Sequence, residues 1–223
     1  QDFMNLKYSV KSLSKIISDY NTCMDIPFIV YKDKTKKDVF SISVRPRIDS
    51  QFMTLQSVYL LDELKVDNQT SFGFGVEAEL YLPFNNNAWS IIMEPTYKRF
   101  KSSGDNQTDY QGRILVRVDF QTIEFPLGVR RYFYLNKNSK LFTNVSFVFS
   151  VDMPSEVDYS IGSTSRRLDI SSGINIALGI GYQLNNKYSI ELRHNTSKDI
   201  LLDYTSWNSS FGGLALIVGY TLF

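Results

Sequence analysis

The feature that most constrains this chain is an alternation of apolar and polar side chains with a period of two residues, which recurs along most of its length. This period indicates β-strands whose two faces meet different surroundings. In the first such segment Phe40 and Val44 fall on one face, whereas Arg45 and Arg47 fall on the other. Eight strands are predicted in this way, over residues 40–49, 72–82, 89–98, 113–134, 141–151, 172–184, 187–196 and 211–223.

The fourth predicted strand is longer than the ~10 residues that a strand needs to cross a bilayer. Its apolar positions also change phase, because they are even-numbered over 116–120 and odd-numbered over 123–133. An extra residue in a strand produces such a change and bends the strand. We therefore predict a β-bulge near Gln121 and Thr122, where the strand would leave a bilayer.

The connections between the predicted strands alternate in length. The long ones cover residues 50–70, 102–112, 152–171 and 197–210, and the short ones cover 83–88, 136–139 and 185–186. Outer-membrane barrels show this asymmetry, with short periplasmic turns and longer extracellular loops. The fold predicted is therefore an all-β, eight-stranded, antiparallel, up-and-down transmembrane β-barrel with both of its ends on the short-turn side.

Residues 1–37 follow a different pattern and are predicted to form a periplasmic helical segment and linker ahead of the barrel, which covers 38–223. Four apolar side chains in this segment recur at helical spacing: Leu13, Ile16, Ile17 and Tyr20. This spacing predicts one short amphipathic helix. A lysine-rich run, 31–37, then links the helix to the first strand.

Composition excludes several classes of protein. The chain has 24 Lys and Arg against 23 Asp and Glu, and this balance gives no electrostatic basis for binding nucleic acid. No run approaches the ~18 apolar residues of a membrane helix, although a barrel of alternating strands stays allowed. The single cysteine, Cys23, excludes an internal disulfide framework, and its neighbours do not identify its role.

Two sets of side chains indicate which face of the strands meets lipid. Aromatic residues gather near the predicted strand ends, as they do at the two interfaces of a membrane: Phe72, Phe74, Phe84, Trp89, Tyr97, Phe133, Tyr182, Tyr188 and Tyr220. The opposite face carries six basic and six acidic residues: Arg45, Arg47, Lys98, Arg117, Arg130, Arg193, Glu77, Glu79, Glu94, Asp119, Glu124 and Glu191. Balanced charges fit a closed lumen, because a buried charge needs a partner. Eight strands also leave an interior that side chains nearly fill, which argues against an aqueous pore.

Several motifs resemble the porin-like outer-membrane barrel proteins of Bacteroidota, particularly those of flavobacteria. They are Val-Arg-Pro-Arg at 44–47, Phe-Gly-Val-Glu-Ala-Glu at 74–79, Phe-Asn-Asn-Asn at 84–87, Glu-Pro-Thr-Tyr at 94–97, Glu-Phe-Pro-Leu-Gly-Val-Arg at 124–130 and Gly-Ile-Gly-Tyr at 179–182. The last strand, with Tyr220 and a terminal Phe223, resembles the signal that the barrel-assembly machinery reads in bacterial outer-membrane proteins. The resemblance covers about 11–223 and implies an outer-membrane location, periplasmic termini, and contacts with outer-membrane lipid and with that machinery.

No catalytic, cofactor or metal site is predicted. The leading hypothesis is a non-enzymatic outer-membrane barrel with a filled lumen, acting as an anchor or interaction subunit for a protein partner in the same membrane. One alternative is a soluble, lipocalin-like, ligand-binding barrel, which requires the apolar face to point inward. A second alternative is a lipid- or peptide-modifying enzyme that uses His194, the only histidine, with an acidic residue such as Asp199.

Overall fold

The computed structural model describes residues 10–25, 39–58, 63–108 and 112–223. The chain divides into two compact units, Gln1–Lys37 and Asp38–Phe223. In the first unit, α1 spans Val10–Cys23, where the sequence predicted a helix. Apolar side chains recur along it, and Ile17 and Tyr20 are exposed.

The second unit is a single antiparallel sheet. Its strands within the described residues are β1 (Phe40–Ser57), β2 (Leu64–Tyr81), β3 (Trp89–Met93), β4 (Thr96–Thr108), β5 (Gly112–Tyr134), β6 (Ser139–Asp152), β7 (Glu156–Ile161), β8 (Thr164–Asp169), β9 (Asn175–Leu184), β10 (Tyr188–Lys198) and β11 (Trp207–Thr221).

The sheet closes into an eight-membered ring, because β1 pairs with β2 on one side and with β11 on the other. The order around the ring is β1, β2, β3 with β4, β5, β6, β9, β10 and β11. β3 and β4 together fill one position, since Pro95 lacks the N–H that a continuous ladder would need there. The predicted eight-stranded antiparallel barrel is therefore confirmed.

One end of the ring carries three short connections. Asn185 and Asn186, between β9 and β10, both have φ of 54°. A two-residue turn with positive φ at both positions matches the right-handed twist of the two strands that it joins. β1 begins and β11 ends on this same side, where Ser43 pairs with Thr221. We call it the short-turn end, and the opposite one the long-loop end.

The strands extend much further towards the long-loop end than predicted. β1 continues to Ser57 and β4 to Thr108, so much of the predicted loops at 50–70 and 102–112 is strand. The predicted loop at 152–171 contains the hairpin of β7 and β8, and β7 pairs with β5 beyond the end of β6. The asymmetry between the two ends therefore lies largely in strand length.

The predicted β-bulge near Gln121 and Thr122 is wrong. β5 keeps one register with β4 through this point, and its single register with β6 begins at Thr122. The register shifts lie elsewhere: between β1 and β2 around Asp67 and Asn68, and between β10 and β11 around residues 196–197. The apparent change of phase in β5 has a different cause, which the burial of its side chains reveals.

Candidate functional site

The inner and outer faces of β5 exchange their chemistry midway along the strand. Towards the long-loop end, Val118 and Phe120 are buried inside the barrel. Towards the short-turn end, Glu124 and Arg130 are buried inside, whereas Leu127 points outward. The alternation never breaks, so the strand does not bulge; the apolar side chains move from the inside to the outside because the surroundings of the strand change.

The outward apolar residues form an outer apolar belt around the short-turn half of the barrel. Its exposed members are Ile48, Phe72, Phe74, Val76, Leu80, Ile91, Met93, Tyr97, Leu127, Val129, Phe133, Leu141, Val145, Phe147, Ile176, Leu178, Ile180, Ile190, Leu192, Leu214, Leu216 and Val218. On β2 the belt runs from Phe72 to Leu80, which matches the ~9–11 residues that a tilted strand needs to cross the hydrocarbon of a bilayer. The lipocalin-like alternative requires this face to point inward, and the exposure of Val76, Leu80 and Ile180 contradicts it. A soluble monomer rarely exposes an apolar surface this extensive.

Replacing Ile180 with arginine tests what surrounds the belt. Ile180 is 57% exposed near the middle of the belt, and an arginine at the mid-plane of a bilayer costs about 2–4 kcal/mol. The measurement is the unfolding free energy in phospholipid vesicles, from urea titration followed by tryptophan fluorescence. Leu115→Arg is the matched control, because Leu115 is 46% exposed and points outward from β5 above the belt. Equal costs for the two variants would contradict a bilayer around the belt.

The aromatic residues that the sequence predicted at membrane interfaces lie at two levels of the barrel. Trp89, Phe133, Tyr182, Tyr188 and Tyr220 lie near the short turns, and Phe84 is in the short connection between β2 and β3. The other three, Phe72, Phe74 and Tyr97, lie nearer to the long-loop end, where Phe74 pairs with Tyr97. Rings at two levels of a barrel are the usual arrangement of membrane-interface girdles.

Inside the belt, the barrel holds a lumen charge network of six basic and six acidic side chains within the described part of the chain. Its members are Arg45, Arg47, Lys98, Arg130, Arg193, Lys198, Asp49, Glu77, Glu79, Glu94, Glu124 and Glu191, all of them buried. Ten of these were predicted from the sequence, and Asp49 and Lys198 complete the set. Charges of both signs are brought together because alternate residues of all the strands point to one narrow axis.

Glu94 and Glu191 together connect four arginines at the centre of the network: Arg45, Arg47, Arg130 and Arg193. Glu94 Oε2 lies 2.7 Å from Arg193 and 3.4 Å from Arg45, and its Oε1 lies 3.6 Å from Arg47. Glu191 contacts Arg193 at 2.7 Å and also accepts a hydrogen bond from Arg45. Since each carboxylate is shared, loss of one would remove an ion pair from several buried guanidinium groups at once.

Two smaller groups lie on either side of this centre. Arg130 contacts Glu77 at 2.6 Å and Glu79 at 3.3 Å. Towards the long-loop end, Glu124 accepts hydrogen bonds from Lys98 at 2.6 Å and Lys198 at 3.0 Å. The network therefore crosses the whole section of the barrel that the belt surrounds.

Arg117 and Asp119 were predicted to face the lumen, and the structure corrects this. Both point outward from β5 above the belt. Asp119 pairs there with Arg99 at 3.1 Å and Lys101 at 3.2 Å, in positions that water can reach. The prediction was wrong because it kept the apolar face outside along the whole strand.

An apolar core fills the long-loop half of the barrel. Its buried residues within the described chain are Met53, Leu55, Leu64, Val66, Phe100, Ile114, Val116, Val118, Phe120, Val157, Leu168, Ile200, Leu201, Trp207 and Phe211. Phe211 packs edge-on against Phe100 and Phe120, with ring centroids 5.3 Å apart in both pairs. Lys198 Nζ lies 5.7 Å from the Phe120 ring, where the core meets the lumen charge network. Sequence reasoning missed this core, although inward apolar positions at Met53 and Leu55 signalled it.

At the short-turn end, tyrosines surround a buried lysine. Lys140 Nζ lies 3.9 Å from the Tyr132 ring centroid and 5.4 Å from that of Tyr81. The hydroxyl groups of both tyrosines donate hydrogen bonds to Glu79, at 2.6 and 3.1 Å. Side chains thus occupy the lumen at this end, in the middle and at the long-loop end.

Glycines on the inner face allow this close packing. A Cβ atom at Gly181 would collide with the Phe142 ring, and one at Gly179 would collide with Asn144 and Glu191. Glycine has no side chain, so it leaves the space that these large neighbouring side chains occupy inside the barrel.

His194 and Asp199, the residues of the enzymatic alternative, have separate surroundings. His194 points outward from β10, between Leu178 and Leu214 of the neighbouring strands. The Asp199 carboxylate instead accepts hydrogen bonds from the Ser209 hydroxyl at 2.5 Å and the Leu201 N–H at 2.9 Å. In the part of the chain that the structure describes, no three His, Cys, Asp or Glu side chains are grouped to hold a metal ion. No helix there is long and apolar enough to cross a membrane.

Comparisons with known proteins find similar shapes at low sequence identity. No protein-family model matches the chain, and no curated protein matches its sequence. The structure is similar to that of the outer membrane protein OprG from Pseudomonas aeruginosa, with 12% identity, a TM-score of 0.46, and coverage of 82% of this chain and 95% of that one. Outer membrane protein AlkL is 12% identical with a TM-score of 0.45, and the match covers 88% of this chain and 97% of that one. Neisserial surface protein A is 10% identical with a TM-score of 0.41, and the match covers 80% of this chain and 96% of that one. At these values the three proteins say nothing about what this chain binds.

Proposed function

We propose that this chain is a non-enzymatic, integral outer-membrane barrel of the porin-like type found in Bacteroidota, which serves as an anchor or interaction subunit. The observation that carries the proposal is the exchange of inner and outer chemistry along the strands. Apolar residues point outward where charges fill the lumen, and inward where charged residues cover the outside. A bilayer around the short-turn half and water around the long-loop half explain why the outward side chains are apolar in one half and charged in the other.

A closed barrel supports this placement for a second reason. Every strand in the ring has a partner on both sides, so the belt has no open sheet edge to expose in lipid. Only helices and closed barrels satisfy their backbone hydrogen bonds in a bilayer, and barrels of this size and asymmetry are typical of bacterial outer membranes. In this orientation the short-turn end, where β1 begins and β11 ends, faces the periplasm.

The filled lumen argues for an anchor rather than a channel. The apolar core, the lumen charge network and the tyrosines around Lys140 occupy successive levels of the interior. The surfaces left for a partner are the long-loop extensions with the β7–β8 hairpin, the outer apolar belt, and the N-terminal unit. A protein partner in the outer membrane would use one of these surfaces. The exposure of Tyr220 on β11 and of nearby Phe223 supports recognition of this strand by the assembly machinery.

Extraction from membranes tests the proposal. The protein is expected to stay in the membrane fraction after washes with high salt and alkali, and to be released by detergent. In a Cys23→Ser background, Ile91→Cys is expected to resist a water-soluble thiol reagent in vesicles, whereas Leu115→Cys above the belt reacts. Release without detergent, or equal reaction at both positions, would exclude an integral barrel.

A further inference from the structure

Arg131 is a cation on the outside of the apolar belt. It lies on β5 near the short turns and pairs across the sheet with Trp89 of β3. Its neighbours on the same outward face are Val129 and Phe133, both exposed members of the belt. Among the described residues, no carboxylate forms an ion pair with Arg131, unlike the arginines of the lumen.

Two aromatic rings hold the guanidinium group in place. The Arg131 Cζ atom lies 5.0 Å from the Trp89 ring centroid and 5.2 Å from that of Phe133. Contacts with ring faces stabilise a cation without using its N–H groups. The N–H donors of Arg131, which are arranged as a planar fork, therefore stay available to an anion.

The surroundings determine which anion this can be. A charge in the hydrocarbon of a bilayer is costly, so an arginine at the edge of the belt extends its head towards the lipid headgroups. At that level the abundant anion is the phosphodiester of a phospholipid. Its oxygens match the guanidinium fork for paired, charge-assisted hydrogen bonds.

A similar arrangement occurs elsewhere on the ring at the same end. Lys187 Nζ lies 5.8 Å from the Tyr220 ring centroid, and Tyr188 packs beside Tyr220 with centroids 5.5 Å apart. These residues belong to the β10–β11 side of the ring, away from β3 and β5. Lysine is a compact charge without a planar fork, so the Arg131 position is the more specific of the two.

We propose that Arg131, held between Trp89 and Phe133, binds the phosphate of a phospholipid headgroup in the leaflet around the short turns. The inference rests on the proposed membrane placement and adds a lipid site to it. Trp89 and Phe133 provide the apolar wall against which the glycerol and upper acyl chains pack, and Arg131 provides the charge. The site orients the barrel by fixing the depth of its short-turn end.

Native mass spectrometry of the protein released from nanodiscs of phosphatidylglycerol and phosphatidylethanolamine tests the site. Arg131→Gln is expected to retain phospholipid about tenfold more weakly, because hydrogen bonds between charged groups are lost. Arg131→Lys keeps the charge without the fork and should be intermediate. Arg117→Gln, which removes an outward arginine above the belt, is the matched control and should retain phospholipid like the unaltered protein.

The possible results separate the lipid site from the membrane placement. Folding of each variant is checked by its heat-dependent migration in gels, and insertion by its co-elution with nanodiscs. If the Arg131 variants insert normally but retain as much phospholipid as the unaltered protein, the lipid site alone is overturned. The same holds if Arg117→Gln loses as much phospholipid as Arg131→Gln. In a second set of nanodiscs that also contain lipid A, stronger retention of lipid A than of phospholipid through Arg131 would also overturn it. Failure of the unaltered protein to insert would overturn the membrane placement, and the lipid site with it.

Discussion

Replacing Glu94 with leucine is expected to lower the unfolding free energy by about 3–5 kcal/mol, the usual cost of breaking a buried ion pair from one side. Glu94 is shared by Arg193, Arg45 and Arg47 at 2.7, 3.4 and 3.6 Å. Leucine fills a similar volume but leaves these guanidinium groups without a central carboxylate. Urea titration in phospholipid vesicles, followed by tryptophan fluorescence, measures the loss.

An exposed ion pair provides the control for this variant. Asp105 accepts hydrogen bonds from Arg113 at 2.9 and 2.5 Å on the long-loop extension, and these bonds hold the pKa of Asp105 below its usual value. Both groups are exposed to water, which weakens the interaction. Asp105→Asn is therefore expected to leave the unfolding free energy unchanged within error.

A variant of nearly the same shape as Glu94 keeps the test informative if Glu94→Leu does not fold. Glu94→Gln preserves the length of the side chain and one oxygen while removing its charge. It should fold and should lose a smaller part of the stability than leucine. Full stability in both Glu94 variants would show that the central carboxylate does not hold the lumen charge network together.

The sequence predicted the short-turn half of the barrel well. Alternation over 72–82 and 141–151, with the asparagine turn at 185–186, was sufficient to define these strands and the inward direction of Glu77 and Glu79. In this half each strand has one apolar and one polar face, so the two-residue period carries the full information. The closure of eight strands followed from their number and from the short turns.

The long-loop half was not predicted because a period of two does not say which face is inside. Met53 and Leu55 continue the alternation of β1, but they lie on the face that carries Arg45 and Arg47. If the same face is assumed to be outside along the whole strand, the place where the two faces exchange their chemistry is interpreted as a loop or a bulge. The exchange depends on where the bilayer ends, and that level becomes visible only when all the strands are aligned.

The position of Lys198 in the lumen charge network was also not predicted from the sequence. Lys198 was assigned to a loop, although it contacts Glu124 at 3.0 Å inside the barrel. The register shift between β10 and β11 turns it inward, because beyond Asn195 the inward positions of β10 change from odd to even. The shift places residues 196–197 of β10 opposite the single residue Gly212 of β11. Because it depends on the pairing of two strands, the sequence of β10 alone does not mark it.

The apolar core gives the second large effect. Phe120→Ala is expected to lower the unfolding free energy by about 3–5 kcal/mol, because Phe120 is 1% exposed and its loss leaves a cavity beside Phe211. Phe147→Ala removes the same atoms from the belt, where Phe147 is 58% exposed, and lipid can fill the space that is left. Its effect should therefore be small in vesicles.

The two tryptophans make this comparison specific to each half of the barrel. Trp207 lies in the apolar core and Trp89 lies in the belt, so variants that keep only one of them report on one region. Phe120→Ala should shift the emission of Trp207 to longer wavelength at lower urea than that of Trp89, since water enters the long-loop half first. If Phe147→Ala costs as much as Phe120→Ala, or if both tryptophans respond together, the apolar core does not stabilise the barrel independently of the lipid around it.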